Sequence, residues 1–211
     1  MAKRGGELRE HIVSVAKNVF LERGFERASM DEVAARARTS KRSVYAHFES
    51  KEKLFLAVIV YVRGLILERL QAPEAYSSRP AEALVQFCAR YLEMFLYEPS
   101  IQMLRMTLAE TTRFPEAAAQ HYDVMFAAVS ARLSSFLKAT FDVSARVSAE
   151  GTQRLLGQIL FPIVPRALFG LEDLVTEFAP RGALVKVDLK PVRRAVAELI
   201  ESLTRDSRGR P

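Results

Sequence analysis

The stretch SMDEVAARARTSKRSVYAHFESKEKL, from Ser29 to Leu54, decides how this chain folds. Ser29 with Glu32 three positions on forms a capping box, which predicts a helix starting at Met30. Val33, Ala34 and Ala37 follow at helical spacing, and the helix should stop near Arg38 and Thr39. Ser40 suits the cap of a second helix, from Lys41 to about Phe48. Ser50 suits the cap of a third, with Glu52 in its first turn, where the helix dipole favours an anion. Caps this closely spaced predict a compact helix-turn-helix.

At about 100° per residue, the segment from Lys41 to Phe48 sorts into faces. Val44 and Phe48 share one side and should dock on the preceding helices, whereas Arg42, Tyr45 and Ala46 point away. Ser43 and His47 lie on one flank and Lys41 on the other. Such a face suits the major groove of DNA. Arg42 has the fork that pairs with guanine O6 and N7, and Ser43 and Ala46 are small enough for close approach. Lys41, Tyr45, His47 and Lys51 are better matched to phosphates, which set register without carrying sequence information. Lys51 also stands at a helix N-terminus, whose free N–H groups suit a phosphate. A short basic helix is otherwise only a solvated face; the run of capped helices argues against that here.

Ala16 and Phe20, the pair Gly24-Phe25, the segment Met30 to Ala37, and SKRSVYAHFESKEKLF from Ser40 to Phe55 together resemble the DNA-binding domain of the TetR family of transcriptional regulators. The likeness covers the N-terminal quarter of the chain. It implies that the residues matching Tyr45 and Lys51 contact phosphates and that those matching Arg42 and Ser43 reach bases. It further implies a C-terminal effector-binding domain and dimerisation through a four-helix arrangement. Two departures stand out. Relatives often carry glycine at Arg38, where the turn favours a left-handed backbone that costs other residues about 1 kcal/mol; a phosphate contact by Arg38 would offset this. Glycine is also common at Arg42, so an arginine there implies side-chain readout particular to this chain. The expected DNA-contacting set is Ser29, Arg38, Lys41, Arg42, Ser43, Tyr45, His47 and Lys51.

Charge distribution agrees. Of the net +6, residues 1–53 hold 12 Lys and Arg against 8 Asp and Glu, while residues 54–211 hold 19 against 17. The basic excess therefore gathers where a polyanion would bind. Met1 to Gly6 reads either as a flexible arm adding phosphate or minor-groove contacts or as plain terminal disorder. Lys3 and Arg4 precede glycines and charged residues, unlike a signal peptide. The apolar run Leu54 to Val62 is too short to span a bilayer. The single cysteine, Cys88, excludes an intramolecular disulfide and fits a reducing cytoplasm; it is expected as a small core residue rather than a redox sensor. A cytoplasmic location, with no membrane partner, is the expectation.

Beyond the motif the periodicity stays helical. Leu54, Val58, Val62 and Leu65 mark a long helix to about Leu70, and Gln71 to Arg79 reads as a loop. Helices follow over Pro80 to Leu96, from Pro99 to about Thr112, and from Phe114 to about Ala139. Arg146 to Gly170 is another, kinked by Pro162 and Pro165. Val175 to Val187 reads as a loop, and Lys190 to about Thr204 closes the chain with Val192, Val196, Leu199 and Leu203 on one stripe. The fold class is all-α: a three-helix helix-turn-helix domain over 1–53 and a larger helical ligand-binding and dimerisation domain over 54–211.

Phe87, Tyr91, Met94, Phe95, Met103, Met106, Phe114, Tyr122, Met125 and Phe126 crowd the middle of the chain. They read either as ordinary core or, with His121 and Arg105 as polar members, as an apolar pocket adaptable through its methionines. The pattern from Arg105 through Ala109, Glu110 and Arg113-Phe114-Pro115-Glu116 resembles one subgroup of TetR C-terminal domains. Leu155, Leu156, Ile159, Leu160, Ile163 and Val164 make their helix apolar nearly all round, which demands burial on several sides. Sharing between two subunits, with Val196, Leu199 and Leu203, would supply it; burial within one chain is the other solution.

Nothing suggests catalysis. His11, His47 and His121 lack metal-ligand spacing, and no phosphate-cradling loop or nucleophile elbow occurs; no cofactor is expected. The reading is a homodimeric transcriptional repressor that binds double-stranded DNA at a palindrome and is released by a small apolar or aromatic ligand. The alternative is a sequence-nonspecific architectural DNA-binding protein whose body only dimerises.

Overall fold

The computed structural model describes residues 2–178 and 187–208. The loop expected over Val175 to Val187 lies mostly outside them. The described residues are helical, with no strand among them beyond an isolated parallel bridge between Tyr97 and Val175. Two compact units emerge. One comprises the chain up to Ile66 together with Gln102–His121; the other comprises Leu67–Ile101 and the chain from Tyr122 onward. This grouping differs from the division at residue 53 drawn on the sequence.

The first unit contains α1 (Ala2–Arg27), α2 (Met30–Arg36), α3 (Lys41–His47), most of α4 (Lys51–Arg69), most of α6 (Glu98–Ala109) and α7 (Pro115–Tyr122). Its helices start and stop for local reasons. Gly24 breaks α1 at φ 72, ψ 169, a backbone region open essentially to glycine alone. Ser29, Ser40 and Ser50 cap as expected: each Oγ accepts from the backbone N–H three residues on, at 3.1, 3.0 and 3.2 Å. Residues Ala2 to Gly6 continue α1 instead of forming a loose arm, since neither Gly5 nor Gly6 takes a positive φ.

The core of this unit explains why α4 and parts of α6 and α7 belong to it. Ile12, Ala16 and Phe20 of α1 meet Val33, Val44, Phe48, Leu54, Phe55 and Val58, and Met103 and Ala117 are buried in the same cluster. Phe25, Phe55 and Phe114 form an aromatic knot with ring centroids 5.0 to 5.3 Å apart. Each such side chain removed from water contributes about 1.5–3 kcal/mol.

In the second unit α5 (Pro80–Leu96) is the axis. It starts on Pro80, whose missing N–H costs nothing in a first turn, and is buried on most sides from Ala83 to Leu96. Against it pack α9 (Ala145–Leu160), α10 (Val164–Leu168) and α11 (Leu189–Arg208), and α8 (Ala128–Phe141) packs along α9. A single turn of π-helix over Asp123–Ala127 joins α7 to α8. The stretch Pro115–Phe141 is long and apolar enough, by length and composition, to cross a membrane. Core helices pass the same test, and here Val124, Met125, Val129, Leu133 and Leu137 are buried in the second unit. The helix expected from Arg146 to Gly170 divides into α9 and α10 because Pro162 cannot donate to the turn before it.

Cys88 is fully buried, and desolvation pushes its thiol up to about 12. It is a core residue, without the thiolate character a redox sensor needs.

Candidate nucleic-acid interface and ligand cavity

Helix α3 is amphipathic in the sense its sequence demands. Val44 is fully buried and Phe48 nearly so, while Lys41, Arg42, Tyr45 and Ala46 are exposed and Ser43 and His47 half-buried. Tyr45 keeps 43 % of its surface in water. Arg42 and Arg38 form no ion pair among the described residues. The turn between α2 and α3 holds Arg38 at φ 51, the left-handed conformation expected from the sequence.

The remaining candidates are already engaged. Lys41 Nζ lies 2.8 Å from the Asp31 carboxylate, and that hydrogen bond holds its pKa above the usual lysine value. Lys51 Nζ donates to the Glu26 carbonyl at 3.0 Å and sits 4.6 Å from the centre of the Phe25 ring. An ammonium has three donors, so Lys51 retains hydrogen-bonding capacity for a phosphate while tying the end of α1 to the start of α4. Ser29 spends its hydroxyl on the cap of α2.

Arg113, absent from the expected set, organises the back of this unit. Its guanidinium donates to Glu26 at 2.7 Å and to Glu52 at 2.8 Å, and lies 4.7 Å from the Phe25 ring centre. Glu52 is held below the usual carboxylate pKa by its own backbone N–H first, then by the Ser50 hydroxyl and Arg113. The sequence signal was present in the Arg113-Phe114-Pro115 run, but nothing there says which carboxylates the arginine meets.

The aromatic and methionine residues read as a pocket are split between the units. Met103 is in the core of the first, with Met106 and Phe114 packed against it. His121 is buried there, its Nδ1 2.9 Å from the Thr107 hydroxyl, and desolvation lowers its pKa to about 4. Phe87, Tyr91, Met94, Phe95, Tyr122, Met125 and Phe126 lie in the second unit. Of these, Tyr91 and Phe126 border a cavity of about 360 Å³. The rest of its wall is Ser130, Gln153, Leu156, Gly157, Leu160, Phe161, Val164 and Pro165. Sequence periodicity could not find these, because they come together only where α9 ends and the chain turns into α10.

The residues proposed for a subunit interface need correction. Leu155, Ile159, Val196, Leu199 and Leu203 are buried within the single chain, at 0 to 4 % exposure, and Leu156 at 8 %. α11 covers α9, and Leu199 closes on Gly151, where a Cβ would lie 2.9 Å from Leu199 Cδ1. An apolar surface already removed from water by its own chain offers nothing to a partner. Leu160 and Ile163 are half-buried. Among the described residues no cluster of three His, Cys, Asp or Glu side chains has the geometry of a metal site.

Comparison with known proteins matches two separate stretches of the chain. Residues 12–58 match the family described as bacterial regulatory proteins, tetR family, and residues 82–143 match the C-terminal domain of AefR-like transcriptional repressors. The transcriptional activator FasR of Mycolicibacterium smegmatis is 47 % identical over 53 residues, covering 25 % of this chain and 24 % of FasR. The repressor BepR of Brucella suis is 33 % identical over 99 residues, covering 46 % and 47 %. The matched region thus spans no more than about half the length of these curated relatives. Among solved structures, a TetR-family regulator from Mesorhizobium loti superposes with TM-score 0.76 at 19 % identity, covering 96 % of this chain and 98 % of its own. The flavonoid-responsive regulator FrrA superposes with TM-score 0.68 at 26 % identity, covering 95 % and 97 %. With head and body each matched to the same kind of protein, the chain belongs to the TetR family of bacterial regulatory proteins.

Proposed function

We propose that this chain is a homodimeric, DNA-binding repressor of transcription, released from a palindromic operator by a small apolar or aromatic ligand. The observation that carries the DNA reading is on α3: Arg42 and Tyr45 stand exposed beside each other with Val44 and Phe48 buried behind them. One such helix per subunit reads a half-site, and two-fold symmetry supplies the second. The outer faces of α9 and α11, left exposed once their inner faces pack, are the surfaces available for pairing.

Repression is favoured over activation by the body match to an AefR-like repressor domain and by BepR. FasR, named an activator, matches over only 53 residues, a quarter of the chain, and so weighs less on the sign of regulation. An effector among the body helices is supported by the apolar cavity and by FrrA, named as responsive to flavonoids. Ligand lowers DNA affinity only by as much as it prefers the conformation that does not bind DNA, typically about 1–3 kcal/mol.

The test is selection of bound fragments from the source genome, followed by competition titration against random duplex. A repressor prefers its site by about 10³-fold or more. Equal affinity for all sequences would establish the architectural alternative instead.

A further inference from the structure

We infer that Arg113 is a positioning residue for Lys51: it neutralises Glu26 and Glu52, the two carboxylates beside that lysine, and so leaves the ammonium free for a DNA phosphate. This rests on the DNA-binding reading above and adds a residue, from the connection between α6 and α7, on which the phosphate contact depends.

All four side chains belong to the first unit. Glu26 is the centre of the arrangement. Its carbonyl accepts from Lys51 Nζ at 3.0 Å, and its carboxylate accepts from the Arg113 guanidinium at 2.7 Å. The other arm of that guanidinium donates to Glu52 at 2.8 Å. One cation thus draws together a carboxylate near the end of α1 and another in the first turn of α4. Phe25 completes the set, with Lys51 Nζ 4.6 Å and Arg113 Cζ 4.7 Å from its ring centre. The two cations therefore stay within about one Debye length of each other at 0.1 M salt, about 10 Å.

The charges of the two carboxylates, the guanidinium and the ammonium cancel. Removing the guanidinium leaves a surplus negative charge at the start of α4, where the free N–H groups of a helix end suit a phosphate. Lys51, already bonded to Glu26, then becomes the counter-ion of these carboxylates. A phosphate would have to compete for its donors and approach against like charge. Folding stability does not account for the arrangement. The Arg113 and Glu26 side chains are 44 % and 73 % exposed, and ion pairs so exposed contribute little. Their consequence is the charge that a phosphate meets.

A double-mutant cycle on the full-length protein tests this, read by fluorescence anisotropy with a labelled random-sequence duplex at low salt. Arg113→Met keeps an aliphatic stem beside Phe25 and removes the charge; it should weaken binding about 10-fold. Lys51→Ala should weaken it by a similar factor. The double variant should bind little worse than Lys51→Ala alone, because Arg113 acts through Lys51. Glu26→Gln combined with Glu52→Gln should restore most of the loss in the Arg113→Met background, by a larger factor than the same pair raises affinity in the unsubstituted chain. A misfolded Arg113→Met variant would show no such rescue. Additive losses from Arg113→Met and Lys51→Ala, or absence of rescue, would overturn the proposal. Lys51→Ala binding as tightly as the unsubstituted chain would overturn the phosphate role of Lys51 as well, which separates failure of the underlying reading from failure of this one.

Discussion

Arg42 is exposed, free of carboxylates among the described residues, and mounted on a helix whose other side is locked by Val44. Arg42→Ala should therefore relax base preference at one operator position by about 1–3 kcal/mol, read by titration against single-base operator variants. Lys51 has two duties, and its substitution separates them. Lys51→Ala should weaken all DNA sequences alike and reduce the salt slope by about 1. Loss of the bond to the Glu26 carbonyl should also lower folding stability by about 0.5–1.5 kcal/mol in urea titration. His121 gives a pH dependence whose sign can be worked out. The Thr107 hydroxyl lies 2.9 Å from both the Met103 carbonyl oxygen and His121 Nδ1. Burial depresses the folded pKa from 6.5 to about 4, so between these values the unfolded chain binds the extra proton. Stability is full above pH 6.5, falls as the pH drops toward 4 and then levels off. Between pH 7 and 5 this amounts to about 2 kcal/mol, and His121→Asn should remove that portion of the acid sensitivity.

At the scale of elements, two glycines on α9 contrast. Gly151 lies under α11, where an added Cβ would press on Leu199, whereas Gly157 faces open space. Gly157→Ala should stabilise by about 0.5–1 kcal/mol through helix propensity. Gly151→Ala should forfeit that gain, leaving the two variants about 1–3 kcal/mol apart in chemical denaturation. Helix ends were the most legible feature of the sequence, because a cap is a local event: one serine hydroxyl and one backbone N–H three residues away suffice. Ser29, Ser40 and Ser50 show this, as do Pro80 at the start of α5 and the break before Pro162. Packing partners were less legible. The apolar stripe of α9 demanded burial on several sides, and periodicity could not say that α11 of the same chain provides it.

For the whole molecule, the expected assembly is a two-fold dimer on DNA. Sedimentation equilibrium should give twice the 23.7 kDa of the chain. Inserting about 5 base pairs, half a helical turn, between half-sites should rotate one half-site out of reach and return affinity to the non-specific level, a loss of about 10³-fold. Monomeric protein binding one half-site with full affinity would contradict the dimer. The basic excess of the head, visible in the charge distribution, sets the salt dependence of all these measurements.

The sequence by itself determined that the chain is helical, where most helices begin and end, and which face of α3 turns outward. These depend on neighbours within one or two turns, and Ser, Pro, Gly and apolar spacing report them directly. Only the tertiary structure decided that Met103 and Phe114 pack in the first unit, that Leu155 and Leu199 are internal, and that Gly157, Gln153 and Ser130 border one groove. Burial and enclosure depend on which distant helices meet, and an apolar side chain carries the same sequence signal whichever neighbour covers it.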